Sequence, residues 1–99
     1  MALTRAWWQG FRSVMSDEGY RVRLFGLRRG LEYSEGDHVV RVAVERASGP
    51  AGWIIYASAI ETWLPPFQHE PLTEGTRQEI RQRIISALDF LNLKYHLAE

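Results

Sequence analysis

The sequence predicts an α+β fold in which a small antiparallel sheet of about four to five strands packs against one long C-terminal helix. Two patterns support this prediction. Apolar residues alternate with polar ones through much of residues 20–57, which is the period of half-buried strands. Near the C-terminus they recur every three or four positions, as on one helix face. A length of 99 residues favours a single domain spanning 1–99.

The N-terminal segment, residues 1–18, is predicted to form a short amphipathic helix. Its larger apolar residues gather on one broad side of a helical wheel: Leu3, Trp7, Trp8, Phe11, Val14 and Met15. Arg5 and Arg12 lie together near the edge of that side and interrupt the apolar run. A cleaved secretory leader is therefore not expected.

A β-meander is predicted over residues 20–57. Tyr20, Val22 and Leu24 alternate with more polar neighbours, and the Glu35-Gly36-Asp37 turn indicates a hairpin because glycine readily takes a positive φ. The run 39–46 alternates again and is expected to pair antiparallel with the strand before it. Residues 53–57 are apolar without alternation, which predicts a strand in the middle of the sheet, covered on both faces.

The C-terminal part is predicted to contain a proline-containing loop at 58–75, the main helix at 76–92 and a terminal strand at 93–97. The helix is indicated by the spacing of Ile80, Ile84, Leu88 and Leu91. Two N-terminal caps are compatible with the sequence. Thr73 alone could cap the helix, or Thr76 could form a capping box with Glu79.

Composition limits the classes of function. Lys and Arg together balance Asp and Glu at zero net charge, which argues against a protein that binds nucleic acid with its whole surface. The absence of cysteine excludes disulfides, thiolate zinc sites and a thiol nucleophile. No apolar run approaches the length of about 20 residues needed to cross a bilayer.

The net charge conceals an asymmetry along the chain. Residues 1–30 contain six arginines against Asp17 and Glu18, whereas the rest is mildly acidic. Aromatic residues lie among these arginines, and both residue types can contact single-stranded nucleic acid. A nucleic-acid-binding module therefore stays open as an alternative.

The sequence offers no recognisable catalytic or metal-binding motif. The three histidines lack ligand spacing, and the adjacent His69 and Glu70 would point to opposite sides of an extended loop. No glycine-rich phosphate loop is present. We therefore expect neither an enzyme nor a protein that requires a cofactor or a metal.

Two groups of residues are candidates for binding a partner. The first group belongs to the proline-containing loop: Trp63, Phe67, His69 and Glu70. Prolines stiffen this segment, and rigid aromatic residues are common binding anchors. Trp63 could instead fold back as a lid over the core. The second group consists of arginines: Arg21, Arg23, Arg28 and Arg29.

Several stretches from Gly30 onward carry a resemblance to a known family. They are residues 30–37, the run from Ile55 to Ile60, Trp63-Leu64-Pro65-Pro66, Glu70-Pro71-Leu72 and the helix containing Ile80 and Ile84. The chain resembles, over about residues 30–97, the bacterial polymorphic-toxin immunity proteins of the family numbered seventy-four. The resemblance implies a non-catalytic cytoplasmic protein that neutralises a cognate toxin by stoichiometric binding. A homo-oligomerising structural domain, pairing through an exposed strand edge or the Trp7/Trp8 helix, is the alternative.

Overall fold

The structure, a computed structural model, describes residues 2–8, 11–25, 30–46, 52–56 and 60–98. Within these ranges the chain forms eight strands and one helix. In chain order they are β1 (Leu3–Trp8), β2 (Phe11–Ser16), β3 (Tyr20–Phe25), β4 (Leu31–Glu35), β5 (His38–Val42), β6 (Val44–Arg46), β7 (Trp53–Tyr56), α1 (Glu74–Phe90) and β8 (Tyr95–Ala98). The predicted α+β class, with an antiparallel sheet and one C-terminal helix, is confirmed.

The first five strands form one antiparallel sheet in chain order, β1-β2-β3-β4-β5. The register places Val14 opposite Val22, Val22 opposite Tyr33 and Tyr33 opposite Val40. All four side chains are buried, so this row lies on the inner face of the sheet. The turn between β4 and β5 contains Gly36 at a φ of 60°, as the hairpin pattern predicts.

The predicted N-terminal helix is wrong. Leu3–Trp8 and Phe11–Ser16 instead form the antiparallel strand pair β1–β2, and β2 also pairs with β3. Val14 is fully buried whereas Met15 is 46% exposed, an alternation that belongs to a strand, since a helix would place both on one broad face. Hydrogen bonding to the edge of β3 and burial of Val14 against Val22 outweigh the local helical pattern.

The predicted strand over residues 39–46 is divided between two sheets. β5 completes the large sheet, whereas β6 joins β7 and β8 in a separate three-stranded sheet. β7 is a middle strand as predicted, but of this second sheet, antiparallel to β6 and parallel to β8. Gly52 immediately precedes β7 and has a φ of 71°, and a Cβ atom there would lie 2.3 Å from the Lys94 carbonyl oxygen. Only glycine permits that close approach.

Helix α1 covers the inner face of the large sheet. The Thr73 hydroxyl accepts a hydrogen bond from the Thr76 backbone N–H at 3.2 Å, which makes Thr73 the N-cap. Ile80, Ile84, Ala87 and Leu88 are buried and form one core cluster with the inner-face residues of the sheet. In the described ranges, the helix is neither long nor apolar enough to cross a membrane.

Candidate functional site

The outer face of the large sheet, turned away from the helix, contains two of the predicted binding arginines. We use the name outer face for two cross-strand rows, which are Met15, Arg21, Ser34 and Val39 in one and Ser13, Arg23, Glu32 and Arg41 in the other. Apart from Ser13, these side chains are partly or fully exposed, in contrast to the buried inner face. Strand pairing therefore gathers charges that lie far apart in the sequence.

The outer face has a shallow depression of about 410 Å³. Met15, Arg21, Arg23, Glu32, Ser34 and Val39 are among its lining residues. Arg21 Nη2 donates to Met15 Sδ at 3.5 Å, and Arg41 Nε donates to Glu32 Oε2 at 3.0 Å. Arg28 and Arg29, the other predicted arginines, lie outside the described residues.

The proline-containing loop lies against strand β5 of the large sheet. The Leu64 backbone N–H donates to the Val39 carbonyl at 2.7 Å, so the loop uses the edge of β5 that β4 leaves open. Trp63 is only 8% exposed and belongs to the core cluster, which agrees with a lid and leaves little of its ring for a partner. Phe67 is half-buried, while His69 and Glu70 are exposed.

His38 holds this loop and is a site residue that the sequence analysis missed. Its ring stacks on Phe67 at a centroid distance of 3.8 Å and meets Trp63 edge-on at 5.0 Å. His38 Nε2 also forms a hydrogen bond with Glu70 Oε2. The alternation along β5 could have identified it. His38, Val40 and Val42 are two residues apart and therefore point to the same inner face, where the loop packs.

A second cleft lies where the loop meets the helix and the β4–β5 turn. It has a volume of about 390 Å³ and is lined by Glu35, His38, Trp63, Glu70, Pro71 and Thr76. Across the described ranges no three His, Asp or Glu side chains are grouped so that they could hold a metal ion. The carboxylates that line the cleft are those of Glu35 and Glu70, beside the rings of His38 and Trp63. Both carboxylates already have hydrogen-bond partners, Arg83 for Glu35 and His38 for Glu70.

Tyr33, Glu35 and Arg83 connect the sheet to the helix beside this cleft. The Tyr33 hydroxyl donates to Glu35 Oε1 at 2.6 Å, while Arg83 Nη1 donates to the Tyr33 oxygen at 2.7 Å and to Glu35 Oε1 at 2.8 Å. Burial raises the pKa of Tyr33 above its ordinary range, and the hydrogen bond to Glu35 raises that pKa further. These contacts satisfy polar groups between sheet and helix, which is a structural role.

The sequence model of the family described as Immunity protein 74 matches residues 24–97. This chain belongs to that family. The match begins at the end of β3 and ends in β8, so it includes β4 and β5 of the large sheet, the second sheet and the helix. β1, β2 and most of β3 precede it. Arg21 and Arg23 therefore lie outside the Immunity protein 74 match, while the whole proline-containing loop lies within it. Neither curated proteins nor solved structures yielded a significant match.

Proposed function

We propose that this member of the Immunity protein 74 family neutralises a cognate toxin by stoichiometric binding, without turnover. The observation that carries the proposal is the family match over residues 24–97, which takes in most of the fold. The open outer face is compatible with binding, because it is a broad, rigid surface built on paired strands. A cytoplasmic site of action belongs to the same proposal, since an immunity protein protects the cell that makes it.

The proposed binding residues fall on two surfaces. Arg21 and Arg23 lie on the outer face, and the nearby sequence adds Arg28 and Arg29. On the proline-containing loop, Phe67, His69 and Glu70 supply the accessible part of the predicted group: Trp63, Phe67, His69 and Glu70. In this proposal the buried Trp63 supports the loop by packing on His38, and the exposed His69 and Glu70 contact the partner together with Phe67.

Protection of living cells tests the function directly. A candidate toxin domain, chosen from the genes that neighbour this chain, is expressed from an inducible promoter, with and without the chain. We expect survival only when the chain is present, and calorimetry of the purified pair should give one chain per toxin domain. Cells that die equally in both cases, together with no measurable heat of binding, would contradict the proposal.

Self-association is a second candidate because of the position of β1. Within the described ranges β1 pairs only with β2 and forms the end of the large sheet, so its other edge can accept a strand from a second copy. Light scattering coupled to size exclusion tests this candidate. A mass of one chain across a wide concentration range would exclude it.

A further inference from the structure

The centre of the outer face has more positive than negative side chains. Arg41 and Glu32 form an ion pair, so their charges largely cancel. Counted together, the two central rows contain Arg21, Arg23 and Arg41 against Glu32 alone, so their net charge is positive. Three exposed acids, Asp17, Glu18 and Asp37, lie in the turns at one end of the sheet.

Arg21 has donor capacity that its neighbours use weakly. Its cross-strand neighbours are Met15 and Ser34, both uncharged, and Nη2 donates to the Met15 sulfur at 3.5 Å. Thioether sulfur is a weak acceptor, whereas a guanidinium can donate two parallel hydrogen bonds to one carboxylate. The guanidinium is thus suited to a carboxylate from another molecule.

An apolar surface accompanies this positive charge. Met15 is 46% exposed, and its row ends at the half-buried Val39 on the other side of the depression. Arginine and methionine are both enriched at protein interfaces. The depression can therefore receive an apolar side chain while Arg21 pairs with an adjacent carboxylate.

A protein fits these features better than a nucleic acid does. A phosphate backbone that followed the strands from Arg21 towards the turns containing Asp17, Glu18 and Asp37 would be repelled by these acids. A short acidic protein segment needs to meet only the central rows. The zero net charge of the chain agrees with this, since a phosphate-tracking surface is usually part of a basic domain.

We propose that the outer face is the docking surface for an acidic segment of the toxin, in which a carboxylate pairs with Arg21 and a neighbouring apolar side chain enters the depression beside Met15. This inference rests on the proposed toxin-binding function and adds its surface and the chemistry of its partner. The toxin is then engaged through an acidic region of its surface, and association is faster at low ionic strength.

The test measures binding of the same candidate toxin domain, purified, to the parent chain and to four variants of the full chain. Arg21→Glu should weaken binding by about ten-fold or more, while Arg21→Lys should keep most of it because the positive charge remains. Ser34→Glu puts a carboxylate opposite Arg21, where it can form a stabilising cross-strand pair, and should also weaken binding about ten-fold. Lys94→Glu is the matched control, since it makes the same charge change at an exposed position before β8.

Folding is checked by thermal unfolding of each variant. Should Arg21→Glu fail to fold, Ser34→Glu carries the test alone. Weaker binding by both variants but not by Lys94→Glu, together with a loss of affinity of the parent chain at high salt, supports the inference. Equal affinity of Arg21→Glu, Ser34→Glu and Lys94→Glu overturns the inference and leaves the proposed function standing.

Three further outcomes are informative: the first tests the proposed function itself, and the other two would assign the outer face to a different partner. No binding by the parent chain itself overturns the proposed function and the inference together. A parent dimer in light scattering that Arg21→Glu converts to a monomer, with toxin binding unchanged, assigns the face to a second copy. Binding of a single-stranded DNA oligonucleotide that is lost in Arg21→Glu, again with toxin binding unchanged, assigns the face to nucleic acid. Either of these last two results overturns the inference.

Discussion

At the scale of single residues, Arg83 links the helix to the sheet through both charge and ring contacts. Its guanidinium carbon lies 4.7 Å from the centre of the Tyr20 ring, and Tyr20 stacks on Tyr33 at 5.8 Å. The same guanidinium donates to Tyr33 and Glu35. A long cationic side chain is thus accommodated beside a buried core, because each polar group in the network has a partner.

Tyr33 is expected to give the protein a stability that falls at alkaline pH. Its pKa in the folded protein lies above the ordinary value of 10.0, so the folded state holds the phenolic proton more tightly than the unfolded chain does. This contribution is complete below about pH 10 and is lost above it, at up to about 1.4 kcal/mol per pH unit. Urea unfolding of the parent between pH 8 and about pH 11 should show this decline.

Tyr33→Phe is the variant that checks this assignment. At neutral pH it should cost about 1 kcal/mol for the lost hydrogen bonds, and the alkaline decline should become shallower. The remaining decline belongs to other groups such as Tyr56 and Tyr95, whose pKa values are also raised. Parallel pH profiles for parent and variant would contradict the role given to Tyr33.

His38 is expected to control the order of the proline-containing loop. His38→Ala removes the stacking on Phe67 and the hydrogen bond to Glu70, so amide exchange in the loop should accelerate and stability should fall by roughly 1–3 kcal/mol. His69→Ala is the matched control, because His69 is exposed on the same loop and should change stability by less than about 0.5 kcal/mol. Similar exchange rates in the two variants would show that His38 does not hold the loop.

At the scale of elements, the β1–β2 hairpin shows how tertiary pairing selects between two local patterns. The apolar residues of this segment satisfy a helical wheel, yet hydrogen bonding to β3 places Val14 in the core and Met15 outside. A strand added to the open edge of β3 satisfies the backbone groups of both partners. The same strand pairing forms part of the outer face, because it places Met15 opposite Arg21.

Paired substitutions distinguish the strand from a helix. Val14→Ala should cost roughly 1–3 kcal/mol since the side chain is fully buried, whereas Met15→Ala should stay within about 0.5 kcal/mol. Chemical denaturation of both variants supplies the measurement. Comparable losses at the two positions would be the result expected of one broad helical face and would contradict the hairpin.

At the scale of the whole molecule, the N-terminal strand pair β1–β2 contributes to the hydrophobic core. Val14 packs in the same cluster as Ile55 of the second sheet and Ile84 of the helix. Removal of residues 1–18 should therefore expose Val22 and the edge of β3, and the shortened chain should lose its cooperative thermal transition and aggregate. A shortened chain that unfolds cooperatively near the parent temperature would contradict this expectation.

The distribution of charge is also a property of the whole molecule. Although the net charge of the chain is zero, the centre of the outer face is positive and the turns at one end of the sheet are acidic. The excess of positive charge in residues 1–30 is visible in the sequence, but where that charge lies on the surface depends on which strands are neighbours. Arg41, from a less basic part of the chain, lies on the same face and offsets the negative charge of Glu32 there.

The sequence by itself determined the α+β class, the helix and its buried stripe, the hairpin at Gly36 and the family. These features depend on periods, caps and turns within a few residues, where local physics is sufficient. Only the tertiary structure decided that Leu3–Trp8 and Phe11–Ser16 are strands, that β5 and β6 belong to different sheets, and that His38 contacts Phe67 and Glu70. Those outcomes depend on contacts between distant segments, whose burial and backbone pairing outweigh the weak preferences of a short stretch of chain.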